Sequence, residues 1–173
     1  MTQMNAYLLR HGEASSLAPD GSLADDAREL TEAGTARLRT ACSVYSRVIG
    51  PARRILHSPL ARARQSAEIL AASCAVEVTL TEIADLRPGG RASNLIDLLQ
   101  GELLDGCESL VLVGHEPLLG DLLGLLTTGN DRLSIPVGKG MLAGVRMSGP
   151  QVMVGRLRVL LSQEEALRLA GQG

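Results

Sequence analysis

Two apolar runs, far apart in the chain, each stop abruptly at a histidine. Ala6-Tyr7-Leu8-Leu9 runs straight into Arg10-His11-Gly12-Glu13, and Leu110-Val111-Leu112-Val113 runs into Gly114-His115. Strands covered on both faces read as continuous hydrophobic runs, so each stretch predicts a buried strand. Open α/β sheets hold their ligands at the carboxyl ends of such strands. Gly12 frees the backbone to turn away at that edge. If the two strands are parallel neighbours, His11 and His115 meet. A lone histidine at a strand end is more often structural than catalytic; a pair, one of them preceded by an arginine, points to chemistry. An imidazole is a nucleophile and a guanidinium binds anions through two N–H groups, which together suggest phosphoryl transfer.

The rest of the chain alternates between strand and helix signals. A long polar loop covers Ala14 to Leu30, and loops of that length in small domains are usually functional or mobile. Thr31 caps a helix that Gly50-Pro51 ends. Arg54-Ile55-Leu56-His57 predicts a second strand. Ser58 as N-cap and Pro59 at the first helical position predict the helix after it. Val76 to Leu80 predicts a third strand, and a helix follows from about Ser93 to Leu104. Pro117 opens a helix over Leu118 to Leu126, and Thr127 to Gly138 is a loop. Gly140 to Met147 and Gln151 to Leu160 predict a hairpin through Ser148-Gly149-Pro150. Ser162-Gln163-Glu164-Glu165 opens a last helix in the manner of a capping box, with Gly171-Gln172-Gly173 frayed. The 173 residues carry no repeat or linker, so one domain over 1–173 is expected. The alternation predicts a three-layer α/β/α fold with a mostly parallel central sheet.

Composition narrows the function. Hydrophobic residues make up 45% of the chain, so a packed core is expected. There is no Phe or Trp, and only Tyr7 and Tyr45, which leaves almost nothing for bases to stack on. A net charge of −2 offers no general attraction for nucleic acid or acidic membranes. The N-terminus shows no secretory signal and no apolar run is long enough to span a membrane, so a cytoplasmic location is expected. Cys42, Cys74 and Cys107 are odd in number and form no CxxC. They predict neither a disulfide framework nor a zinc site, and each reads as a small buried hydrophobe.

Further candidates surround the histidine pair. Arg62 falls in the first turns of the helix after Ser58, where free N–H groups and the helix dipole favour an anion. His57 ends a strand but has no paired cation, and reads as structural or supporting. Glu13 either accepts a hydrogen bond from a catalytic group or simply caps its loop. No HxH, HExxH or His/Cys spacing suggests a metal, and the arginines would repel a divalent cation. No metal and no organic cofactor are expected.

Three segments in order, Leu9-Arg10-His11-Gly12-Glu13, Ser58-Pro59-Leu60-Ala61-Arg62-Ala63-Arg64-Gln65-Ser66-Ala67 and Val113-Gly114-His115-Glu116-Pro117, resemble the histidine phosphatase (phosphoglycerate mutase-like) superfamily. The resemblance runs from about Tyr7 to Leu160. The short chain is similar to the SixA-type phosphohistidine phosphatases, whose segment after the first motif resembles Asp25 to Gly34, although Glu29 stands where that group has proline. Larger members carry a glutamate general acid near the place of Leu86-Arg87-Pro88. Here Pro88 stands in its position, an absence the small group shares.

The resemblance implies a phosphoglycerate mutase-like fold and a two-step reaction. His11 takes the phosphoryl group, and Arg10, Arg62 and His115 surround its oxygens, with His115 at least partly protonated. Water then releases phosphate. A phosphohistidine needs no added acid to leave when its ring is already protonated, so the missing glutamate suits phosphohistidine or another activated phosphate, and the short loop in place of the usual lid implies an open site suited to a phosphorylated protein; Asp85 or Glu82 are the substitutes if an acid is required. The alternatives are a phosphomonoesterase acting on a small phosphorylated metabolite, such as a sugar or nucleotide phosphate, and a non-catalytic phosphate-binding protein. Binding to nucleic acid or membrane is not expected.

Overall fold

The first strand shows how a continuous apolar run becomes the middle of a sheet. In β1 (Gln3–Arg10), Met4, Ala6 and Leu8 are buried on one face while Tyr7 and Leu9 are buried on the other. Each side needs its own covering layer. The computed structural model describes residues 3–149 and 154–171. Among these, β2 (Arg54–His57), β3 (Thr79–Glu82), β4 (Ser109–Gly114), β5 (Leu142–Ser148) and β6 (Arg156–Leu161) complete a six-stranded sheet of order β3-β2-β4-β1-β5-β6. The first four in that order are parallel; β5 and β6 are antiparallel additions. β4 is inserted between β1 and β2, although both precede it in the chain.

One face is covered by α3 (Ala92–Leu104) and α4 (Leu118–Thr128), through Leu95, Leu99, Leu119, Leu122 and Leu126. The other is covered by α1 (Glu32–Ile49), α2 (Ala61–Ser73) and α5 (Gln163–Ala170), through Leu38, Tyr45, Ala63, Leu70 and Ala166. The expected three-layer arrangement with a mostly parallel sheet is what forms. Truncating any of these buried leucines to alanine costs about 2–5 kcal/mol, so both layers are needed. Among the described residues, no helix is long and apolar enough to cross a membrane.

The caps follow the sequence closely. The Thr31 hydroxyl accepts from the Gly34 N–H at 2.9 Å, Gly50 ends α1 with a φ of 68°, and Ser162 with Glu165 forms a full capping box. Several boundaries differ. Ser58 does not cap α2; the chain bends at Pro59 and Leu60, Leu60 is the N-cap, and the Ser58 hydroxyl also lies against His115. The third strand is Thr79–Glu82, because pairing with Arg54–His57 outweighs the apolar alternation that begins at Val76. α4 continues to Thr128, where Gly129 in the left-handed region ends it. β6 begins at Arg156; the expected turn at Pro150 and the start of its second arm at Gln151 lie outside the described residues, as do Gln172 and Gly173. Cys42 is buried, but Cys74 and Cys107 are only partly so, since one caps α2 and the other sits in the turn before β4.

Candidate active site

Register brings the two histidines together. β1 and β4 run parallel with Arg10 opposite Gly114, and the His11 N–H donates to the Gly114 carbonyl at 3.2 Å. The next residues on each strand, His11 and His115, have ring centroids 5.0 Å apart. Both are buried, His11 to 7% exposure and His115 to 2%.

His11 is oriented by its own loop. Its Nδ1 lies 2.7 Å from the Gly12 carbonyl oxygen, which can only accept. Nδ1 therefore carries the proton, and Nε2 keeps its lone pair. The Gly12 N–H donates to Ser66 Oγ at 3.1 Å, and that hydroxyl donates to the Arg62 carbonyl at 2.7 Å. The motif loop is thus pinned to α2. A β-carbon at Gly12 would stand 3.3 Å from Leu38 and 3.4 Å from Leu30, which is why the backbone can pass so close to α1.

His115 is held from the end of β2. Its Nε2 is 2.8 Å from Ser58 Oγ, while its buried Nδ1 has no partner. The Ser58 oxygen also accepts from the Leu60 N–H at 3.3 Å, and the Ser58 N–H donates to the Val113 carbonyl at 3.0 Å.

The two arginines approach from different sides. Arg10 donates from Nη1 to the Val137 carbonyl at 3.0 Å, and its buried Nε has no partner. The Val137 N–H in turn donates to Glu116, the residue after His115, at 2.8 Å. Arg62 is 5% exposed and gives both terminal nitrogens to Asp25: Nη1 to its carbonyl at 2.7 Å and Nη2 to its carboxylate at 2.9 Å. Two of five N–H groups are used, leaving three. The other Asp25 oxygen accepts from Arg28 at 2.8 Å, and Asp26 pairs with Arg87 at 2.8 Å. The one-turn 3-10 helix Asp25–Ala27 thereby straps the long loop across α2.

Charge and burial in this site keep both imidazoles neutral. Burial first, then Arg62, Arg10 and Lys139, bring His11 down to about 4 against the opposing Gly12 hydrogen bond. Burial first, then His11, Arg62 and Arg10, bring His115 down to about 3, with Asp25 pulling the other way. The Arg62 hydrogen bond, followed by the charges of Arg62 and Arg28, lowers Asp25 despite the opposing cost of its partial burial.

His11, His115, Arg10 and Arg62, all expected from sequence, are thus gathered at one sheet edge. The other candidates are placed differently. His57 is buried at the end of β2 with its Nδ1 2.9 Å from the Ser58 carbonyl oxygen. Glu13 is exposed, and its backbone carbonyl is the part used, accepting from the Thr31 N–H at 3.0 Å. Asp85 is exposed and its carboxylate accepts from Asn94 at 2.8 Å. Glu82 is exposed at the end of β3. Among the described residues, no group of three or more His, Cys, Asp or Glu comes together that could hold a metal ion. Sequence reading missed Ser58, Ser66 and Asp25 as site supports. Ser66 was findable, because it lies one helical turn after Arg62 on the same face.

Comparison with known proteins gives the family. The sequence model of the histidine phosphatase superfamily (branch 1) matches residues 6–87. A phosphohistidine phosphatase SixA homolog of Haemophilus influenzae is 32% identical over 132 residues, covering 71% of this chain and 77% of its own. The phosphohistidine phosphatase SixA of Escherichia coli is 27% identical over 126 residues, covering 73% and 76%. Among solved structures, the protein histidine phosphatase SixA complexed with tungstate superposes with a TM-score of 0.82 at 24% identity, over 92% of this chain and 97% of that one. A mycobacterial glucosyl-3-phosphoglycerate phosphatase complexed with VO3 gives 0.70 at 19%, over 92% and 99%. The chain belongs to the histidine phosphatase superfamily. It is a phosphatase of the SixA type, within a family that works without a metal.

Proposed function

We propose that this chain removes a phosphoryl group from phosphohistidine on a protein, through a covalent phospho-His11 intermediate. The observation that carries this is a pair of buried nitrogens without partners, Arg10 Nε and His115 Nδ1, in residues beside His11. Buried polar groups are nearly always paired, so two orphans at one site mark where an anion belongs. Arg62, with three N–H groups to spare, adds a third donor.

His11 Nε2 attacks phosphorus while its Nδ1–H stays on the Gly12 carbonyl, which stabilises the positive charge that develops on the ring. The bond from phosphorus to the leaving nitrogen breaks, and its electron pair returns to that nitrogen. If the leaving ring carries a proton on its other nitrogen, it departs as neutral imidazole and no general acid is needed. Water then attacks phospho-His11, the N–P bond breaks with its electron pair returning to Nε2, and phosphate leaves with both of the water's protons, one of which can pass to solvent. Arg10, Arg62 and His115 stabilise the charge spread over the non-bridging oxygens.

The Ser58 hydroxyl bears on the state of His115. When it donates to Nε2, the neutral ring carries its hydrogen on Nδ1, and His115 can donate to phosphate without being protonated beforehand. A bound dianion then raises its proton affinity. Asp25 is a positioning residue that holds Arg62 by backbone and side chain together.

The test is phosphate release from a phosphohistidine protein and from an aryl phosphate, both in EDTA, with rapid quench for an acid-labile phosphoenzyme. Turnover in EDTA with a phosphoenzyme absent from His11→Ala supports the mechanism, and preference for the protein donor supports the substrate. Preference for small phosphates favours the phosphomonoesterase alternative. Phosphate binding with neither turnover nor a phosphoenzyme in wild type overturns the enzymatic reading.

A further inference from the structure

Three arginines meet at the end of the sheet away from His11. Arg146 on β5 stands directly opposite Arg156 on β6. A register shift between Gly144 and Val145 leaves Arg158 without an opposite residue, and all three line one cavity of about 480 Å³ together with Gln3 and Ser148. Like charges directly opposite each other on neighbouring strands destabilise a sheet. Among the described residues, none of the three forms a salt bridge with a carboxylate. The neighbouring sequence Pro150-Gln151-Val152-Met153 contains no acidic side chain. Arg146 is fixed through its Nε, which donates to Asn5 Oδ1 at 3.2 Å; its terminal nitrogens are not used in this bond. The combined charge reaches into the sheet: burial raises the Tyr7 phenol, and Arg146 and Arg158 pull it back.

We propose that this cavity is a second anion site, built for a phosphate dianion. Guanidinium groups match phosphate oxygens in pairs, and one dianion bridging Arg146, Arg156 and Arg158 turns the cross-strand repulsion into attraction. The cavity is larger than phosphate alone and falls within the range of about 300–1,000 Å³ typical of small-molecule sites. The same phosphate chemistry is offered by free phosphate and by a phosphate carried on a small organic body. The site shares no residue with the His11 centre. Gln3 and Arg10 are opposite ends of β1, roughly 23 Å apart at about 3.3 Å per residue. It stands whether or not the proposed substrate is right.

The test uses the full chain carrying His11→Ala, so that organic phosphates are not consumed, with amide shifts followed as inorganic phosphate is added. Two saturable sets of shifts are expected, one near Arg10–Gly12 and one at Ser148, Arg156 and Arg158. Adding R156A/R158A is expected to weaken the second set at least tenfold and leave the first unchanged. In the wild-type background the same double substitution leaves aryl phosphate turnover unchanged. Repeating the titration with glycerol 3-phosphate separates the sources: tighter binding than phosphate at the second set assigns a phosphorylated metabolite, and equal or weaker binding assigns free phosphate. Shifts confined to the His11 end, or a second set that survives R156A/R158A, overturn the proposal.

Discussion

At the scale of single residues, the site depends on side chains that never touch the reacting atoms. Ser58→Ala removes the hydroxyl that holds His115 Nε2. It is expected to lower kcat about ten- to a hundredfold, the ~1.5–3 kcal/mol scale of one oriented hydrogen bond, with KM little changed. Steady-state kinetics with an aryl phosphate check this. Asp25→Ala frees one terminal nitrogen of Arg62 and is expected to raise KM about tenfold, with Asp25→Asn recovering part of the loss because the carboxamide oxygen still accepts. The candidate residues themselves were legible in the sequence, because Arg10-His11-Gly12 and Gly114-His115 sit at the ends of apolar runs. Ser58 was misread for a physical reason. Serine before proline is a good helix cap by local rules, and only the arrival of His115 from β4 gives its hydroxyl a better partner.

At the scale of elements, the buried strands β1 and β4 and the caps at Thr31 and Ser162 were readable from local pattern, whereas the long loop was not. Ala14 to Leu30 has no periodicity; its one-turn 3-10 helix is fixed by distant arginines, Arg62 and Arg87, that no local rule locates. The third strand was misplaced for a similar reason, because its bounds are set by pairing with β2. The junction of α1 with the motif loop makes a sharp prediction. A methyl group at Gly34 would collide with the Glu13 carbonyl and come within 2.9 Å of the Thr31 hydroxyl. Gly34→Ala is therefore expected to cost about 1–3 kcal/mol in urea unfolding. It is also expected to lower kcat, since the Gly12–Glu13 backbone that orients His11 must shift.

At the scale of the whole molecule, the buried histidine pair links stability to pH. In the unfolded chain both titrate near 6.5; in the folded protein His11 waits until about 4 and His115 until about 3. Between these values the unfolded state holds more protons, so stability falls as pH drops below 6.5. A loss on the order of 2–5 kcal/mol between pH 7 and 4.5 is expected by urea unfolding, and a shallower one for H11Q/H115Q. Saturating phosphate, by raising the proton affinity of His115, is expected to flatten the wild-type curve.

The sheet order has a consequence for biosynthesis. The strands that carry His11 and Ser58 at their ends leave the ribosome early, yet they never pair with each other, because β4 belongs between them. At about 5–20 residues per second, several seconds pass before β4 is made. Until then the nascent chain holds two apolar strands with unfilled edges, a state open to wrong pairings. A chain stopped at Gly106 is expected to show no native sheet by circular dichroism and to aggregate, while adding the segment through α4 restores order. The candidate site is thus assembled late and all at once, by the strand that delivers His115.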